Sequence, residues 1–505
     1  MAKRLRAWAM LIALATLLAG CVPGQSTDSP DEFALPEPSE EPVNMFLGER
    51  LPSRMTSVPL YYPMSDGAGF STVAMGIRAD SGETLIEAAV KALLNPTGGE
   101  ESMASIGDAH LLSCEFGCGI ATVNLSIDAR TVQNEQELLA QLTAIGNTLL
   151  GIEGVRGVNV LIGGQSESFG QLPLGVQTEV IPSVTASYAQ LLAEHEHLLS
   201  GSGLPVTRHA VLYFPTKGKD WLIPELRDVT FESDDIAGVL IDALTAGPQD
   251  ESCAVASIPV GVELLDPGPT VETLSTGEHV VTLNFPSTLA NYLAFSGLEI
   301  WELAGSVALT VCSFLPEIDA VRILVEEDPI TVCEIGETLL TFKDGLIRRS
   351  DFSNRVGSVA TLYLATGDLR LQPEQRPVSM RSALSPRSLL SVLFSCKDQG
   401  DAPLRFPAPD SVYPADVLGI QVSGNVARIN LSGSFYRACQ QLTPDEERAL
   451  VYSIVNTLCG MEDINAVRFY VEGTAASTLA GSIYLKNPLM ANPGIVAVPD
   501  ATGEP

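Results

Sequence analysis

Leu18-Ala19-Gly20-Cys21 places a thiol directly after two small residues, at the end of an apolar run. Lys3, Arg4 and Arg6 precede that run, and residues 7–18 are apolar apart from Thr16. A peptidase cleft takes an extended backbone with little side-chain bulk, and a cysteine thiol is a nucleophile able to take a diacylglyceryl group. The run falls short of the roughly 20 apolar residues that span a bilayer. It has the charged start, apolar middle and small-residue end of a secretory signal. The spacing therefore predicts removal of residues 1–20 and lipidation of Cys21, the pattern of a bacterial lipoprotein signal. The mature chain is expected on the extracytoplasmic face of the cell membrane, bound to the lipid bilayer through acyl chains, palmitate among them. Each buried methylene contributes about 0.8 kcal/mol, and more than one chain gives stable anchoring.

Other side chains capable of chemistry are scattered. Five histidines occur: His110, His195, His197, His209 and His279. His195 and His197 flank Glu196 on a predicted helix, where residues two apart point to nearly opposite sides and cannot share a metal. Cys114 and Cys118 lack the two-residue gap of redox and zinc motifs. A local disulfide and two free thiols both stay open there, as does the redox state of all eight cysteines after Cys21. A helix between Cys439 and Cys459 would hold that pair apart. The chain contains no Gly-x-Ser-x-Gly elbow and no phosphate-binding loop. Acids cluster at Asp234-Asp235 and Glu326-Glu327-Asp328 without an Asp-x-Asp-x-Asp-Gly calcium loop. The residues assign no catalytic group, no cofactor and no metal site.

Composition narrows the partners. The formal charge is -32 over 505 residues, and it becomes -35 (61 acids against 26 bases) once residues 1–20 are gone. Such a field repels nucleic acid and bare anionic lipid, so both are excluded as direct partners. Its range is short, about 8 Å at physiological salt. A hydrophobic share of 46% is that of globular protein rather than of a disordered acidic tail. A chain of this length suits about three domains.

The elements that must position these residues repeat. Three copies open on apolar-aromatic strands around Tyr61, Tyr213 and Tyr363. A helix follows in each: Glu83 to Leu94, Asp234 to Leu244 with Ser233 or Asp234 as cap, and Pro386 to about Phe394 with Ser385 as cap. Two short strands come next, and the second always carries Asn between apolar neighbours: Asn124, Asn284 and Asn430. An Asn there reads as a turn residue that satisfies nearby backbone groups where a strand ends before a helix. A second helix and a last strand complete each copy: about Glu135 to Leu150 then Gly157 to Ile162, Leu298 to Phe314 then Ala320 to Val325, and Pro444 to Leu458 then Ala466 to Val471. The fold class is α+β: three repeated small domains, each a short sheet with two helices in the order strand-helix-strand-strand-helix-strand. The expected boundaries are signal 1–20, Pro- and acid-rich tether 21–56, repeats 57–170, 207–335 and 358–475, and a connecting segment 171–206 with a helix over Ala186 to Leu199. An exposed linker 336–357 with Arg348, Arg349 and Arg355, and a C-terminal tail 476–505, complete the division.

The order of parts resembles the GerMN domain of GerM-type sporulation and germination lipoproteins. Repeat two carries the resemblance best, with Tyr213-Phe214-Pro215, Gly247-Pro248, Ile258-Pro259-Val260-Gly261, Leu283-Asn284-Phe285 and Val321-Arg322-Ile323. Repeat three keeps Asn430-Leu431-Ser432 and Val467-Arg468-Phe469, and repeat one keeps Asn124-Leu125-Ser126. Family members commonly show Asp where this chain has the three Asn, so that position holds no shared catalytic acid here. Three copies are unusual in the family. The resemblance implies modules similar to the ring-building motifs of secretion systems and no enzymatic activity.

The expectation is a non-enzymatic, membrane-anchored assembly module of sporulation or germination. Its partner would be a protein of an envelope complex or another copy of the chain, met through exposed strand edges. The alternatives are a peptidoglycan-binding module, which would need an aromatic-lined groove, and a carboxylate-based cell-wall hydrolase. The hydrolase would need two acids about 5 to 10 Å apart across a cleft.

Overall fold

The computed structural model describes residues 47–51, 54–64, 69–79, 84–95, 109–131, 134–170, 172–199, 205–218, 220–232, 236–397 and 404–497. The signal, Cys21, most of the tether and the cap at Ser233 or Asp234 lie outside them. A short strand, β1 (Gly48–Arg50), comes first.

Repeat one runs through β2 (Arg54–Pro63), β3 (Phe70–Ala79), α1 (Leu85–Leu94), β4 (Leu111–Gly117), β5 (Ile120–Leu125), α2 (Glu135–Leu150), β6 (Gly157–Ile162) and β7 (Gln165–Ser166). After it comes α3 (Val184–Leu199). Repeat two follows with β8 (Val206–Pro215), β9 (Leu222–Phe231), α4 (Ile236–Ala246), β10 (Thr270–Thr273), β11 (His279–Phe285), α5 (Leu289–Ser296), α6 (Ile300–Phe314), β12 (Ala320–Val325), β13 (Asp328–Pro329) and β14 (Leu346–Ile347). Repeat three has β15 (Gly357–Ala365), β16 (Leu371–Ser379), α7 (Pro386–Ser395), β17 (Val417–Ser423), β18 (Val426–Leu431), α8 (Gly433–Cys439), α9 (Pro444–Cys459), β19 (Ala466–Val471), β20 (Thr474–Ala475) and β21 (Leu489–Met490).

The three copies share this α+β plan, with more strands than the four that the sequence predicts: the opening strand has a partner, and a two-residue return strand follows the last long one. Each opening strand is half of a long antiparallel hairpin: β2 with β3, β8 with β9, β15 with β16. The second strand of each mixes exposed polar residues into its run and carries a weak period-two signal. The helices start where their caps dictate. Thr84 and Glu87 form a reciprocal capping box on α1, and Thr443 and Glu446 do so on α9. Ser385 caps α7 ahead of Pro386, as the sequence predicts.

Within each copy the middle strands pair antiparallel, and the second of them lies parallel to the last long strand. The long second helix is the crossover that such a parallel pair requires. It packs between the hairpin and the sheet, so most of its circumference is covered. Every residue of α6 from Trp301 to Phe314 is buried.

Three segments placed outside the repeats complete them. Gln177 exchanges both backbone bonds with Val158 of β6, β14 pairs antiparallel with β12, and β21 pairs antiparallel with β19. Each last strand thus gains a closing partner from the chain that follows it. The long helix holds two of these segments by side-chain amides. Asn147 bonds both backbone groups of Ile181, and Asn456 both of Asn492. The linker 336–357 is therefore not exposed: Phe342, Ile347, Phe352 and Val356 sit in the core of repeat two, and Arg349 is buried. The tail is likewise folded through residue 497, with Leu479 and Leu485 fully buried. Buried Glu447 accepts the backbone N–H groups of Leu479, Ala480, Ser482 and Ile483. In the segment 171–206, Val184 and Leu191 of α3 pack on Leu139 and Phe169.

Sheet edges are covered in different ways. Strand β1, which falls within the span 21–56 assigned to the tether, lies parallel to β17. Its Glu49 carboxylate accepts from Ser385 Oγ at 2.8 Å and from the Arg387 N–H at 3.0 Å, at the start of α7. In repeat two the edge strand β10 is short, fully exposed and preceded by Pro267 and Pro269, which keeps an edge from extending.

Candidate functional site

The polar positions that recur at one place in all three copies turn inward on the backbone. Asn124 Oδ1 accepts the Gly164 N–H at 2.8 Å, Asn284 Oδ1 the Glu327 N–H at 3.2 Å, and Asn430 Oδ1 the Gly473 N–H at 2.8 Å. These N–H groups belong to the tight turn between the last long strand and its two-residue return. The turn has two successive positive φ values: 61° and 88° at Gly163-Gly164, 50° and 74° at Glu326-Glu327, 48° and 80° at Glu472-Gly473. Glycine suits the second position, and repeat two puts Glu327 there. Asn284 Nδ2 also donates to Glu327 Oε1 at 3.0 Å, a bond the other copies have no side chain to make. The repeated Asn is thus a turn-holding residue, but it acts across the sheet on the neighbouring parallel strand rather than at its own strand's exit.

A second repeated constellation was not read from sequence. The Tyr61, Tyr213 and Tyr363 N–H groups donate to Thr148, Thr310 and Thr457 Oγ1 at 2.9, 3.1 and 3.0 Å. The three threonines sit near the ends of α2, α6 and α9, each followed by Leu or Val. That recurrence is the signal in the sequence that marks them. They tie each hairpin to its long helix.

The most strongly polar buried cluster lies between copies. Arg349 Nη1 donates to Glu115 Oε1 at 2.9 Å, and Nη2 to Glu115 Oε2, so the pair is bidentate. Arg349 Nε donates to Ser313 Oγ at 3.0 Å and Nη2 to Tyr213 OH at 3.4 Å. Burial opposes the charge on Arg349, and the facing Tyr213 and Glu115 outweigh it and raise its pKa. Repeat one supplies Glu115, repeat two Tyr213 and Ser313, and the chain after repeat two Arg349. Nearby, the Cys118 N–H donates to Ser358 Oγ at 3.2 Å, and a Cβ on Gly117 would stand 2.7 Å from the Gly357 carbonyl. Repeat three is thereby pressed on the β4–β5 turn of repeat one.

The thiols and imidazoles stay apart. All eight cysteines after Cys21 are free, Cys114 and Cys118 included. Burial pushes the thiols of Cys114, Cys312 and Cys439 up to about 12 and that of Cys333 to about 11, so they are poor nucleophiles. His209 Nδ1 meets Asp228 at 2.5 Å, His110 lies 3.8 Å from Asp128, and the His195 ring sits edge-on to Phe169. The His197 side chain lies outside the described residues. No group of three metal-ligating side chains occurs among the described residues. Asp416 accepts from Ser432, from Ser434 and from the Tyr413 N–H. Burial works against its charge, and these bonds outweigh it and lower its pKa.

Three stretches of the chain, residues 59–168, 211–331 and 361–477, match the family model described as Germane, sporulation and spore germination. The chain belongs to this family. Among curated proteins none matches it. Among solved structures it is similar to the tandem GerMN domains of the sporulation protein GerM from Bacillus subtilis. Identity is 15% over 57% of this chain and 99% of that one, with a TM-score of 0.24. It is also similar to the first GerMN domain of that sporulation protein, at 15% identity over 26% of this chain and 96% of the other, with a TM-score of 0.21. The GerMN-type ranges in this chain stop before Gln177, β14 and β21, so the closing segments are additions outside each matched stretch. The buried Arg349 is such an addition as well.

Proposed function

We propose that this GerMN-type chain is an extracytoplasmic lipoprotein, held on the cell membrane by acyl chains on Cys21. It serves as a non-enzymatic structural module of an envelope complex in sporulation or spore germination. One observation carries the reading: the polar residues shared by the three repeats all serve the fold. The Asn residues hold the turns and the Thr residues hold the hairpins. What the repeats have in common is therefore a shape, and a shape presented three times suits assembly with other proteins. The anchor rests on residues 1–21, through the lipid-signal pattern and the thiol at its end. The partner is a protein of the envelope complex or another copy of the chain.

The test is the yield of heat-resistant spores from a strain lacking the chain. A large drop, restored by the wild-type chain and not by Cys21→Ala, is the expected result. An unchanged yield with normal germination would sink the proposal.

A further inference from the structure

Helix α5 is held to the body of repeat two by Leu289 and Leu293, and its other side chains face outward. It contains no charged residue. Phe295 is 93% exposed, although a phenyl ring gains from burial. Tyr292, one turn earlier, lies over Gly261, where a Cβ would stand 3.3 Å from the ring. Val260 beside it is 80% exposed. Val260, Tyr292 and Phe295 make one apolar patch, since residues three apart on a helix are neighbours.

The fold itself does not ask for an aromatic residue here. Counted from the shared Asn284 and Asn430, Leu289 and Leu293 correspond to Phe435 and Cys439, and all four are buried. Phe295 corresponds to Gln441, which is exposed. One repeat puts a solvated amide where the other puts a bare ring.

Charge selects the occupant. Between Arg227 and Arg322 the chain has fifteen Asp and Glu and no Lys or Arg. Exposed Glu263 and Glu299 flank the patch in sequence. A second copy, equally acidic, and an anionic membrane are both repelled by such a surface. A partner with basic residues around an apolar face is attracted.

We propose that α5 with Val260 is a docking site for a protein segment that presents an apolar face bordered by Lys and Arg. The proposal rests on the assembly reading above only in taking the occupant to be a protein. The full chain is titrated with a labelled amphipathic helical peptide of Leu and Lys, and with the same peptide carrying Glu for Lys. The expected result is binding of the Leu/Lys peptide alone, weakened by salt. Phe295→Gln should lower that affinity at least about tenfold, and Gln441→Ala should leave it unchanged. Phe295 is exposed, so its replacement leaves the core intact. Affinity within about twofold of wild type for Phe295→Gln, or equal binding of the Leu/Glu peptide, would overturn the proposal. So would self-association or binding to phosphatidylcholine vesicles that Phe295→Gln abolishes, since the occupant would then be a second copy or lipid. Binding is read in solution, so its failure is distinct from a failure of Cys21→Ala to change spore yield.

Discussion

Asn430 shows how one side chain can hold a fold together at a distance of more than forty residues. Its acceptor serves a buried N–H on Gly473, at a turn whose φ values already strain the backbone. Removing the acceptor strands that N–H, so Asn430→Ala should cost about 1–3 kcal/mol in urea unfolding. Asn430→Asp keeps an oxygen in place and should cost less. Equal losses for the two variants would show that the acceptor is not what matters. The three Asn could be found in the sequence because they recur between apolar neighbours. Their targets could not, because Gly164, Glu327 and Gly473 become neighbours of the Asn only once the parallel strands pair.

At the scale of elements, the hairpins, helices and parallel pairs follow from local signals, and the closing segments do not. Helix α6 carries apolar residues on most of its circumference, with Glu302, Ser306, Thr310 and Ser313 as a polar stripe, which states that it is largely covered without naming the cover. Strand β14 is part of that cover, and only two residues long. Such a strand has no period to read, and neighbouring Arg348 and Arg349 make the segment look solvated. Ile347 is fully buried in the same core as α6. Ile347→Ala should therefore destabilise the chain by about 2–4 kcal/mol, read as a lowered urea midpoint at constant slope. A loss under about 0.5 kcal/mol would return this segment to the role of an exposed linker.

Across the whole molecule, the copies are joined by a buried charge pair. Glu115 and Arg349 are each 8% exposed and satisfy one another with two bonds. Cutting one partner leaves the other charge buried and alone, so Arg349→Met should cost about 3–5 kcal/mol. The double variant Glu115→Leu, Arg349→Met removes both charges and should recover more than half of that loss, in the same unfolding measurement. A double variant as unstable as the sum of the single ones would mean that the two residues act independently.

Residues 1–505, read alone, determined the repeats, their element order and most helix starts, because caps, apolar periods and recurring motifs act over a few neighbouring residues. They also contain the apolar run ending at Cys21 on which the proposed anchor rests, and the net charge of -32. Tertiary structure alone decided that the segments after each repeat belong to it, that Arg349 is buried against Glu115, and that Phe295 is bare where Gln441 is its counterpart. Each of these depends on which surfaces meet when distant parts of the chain pack, and burial is a property of that meeting rather than of any residue type.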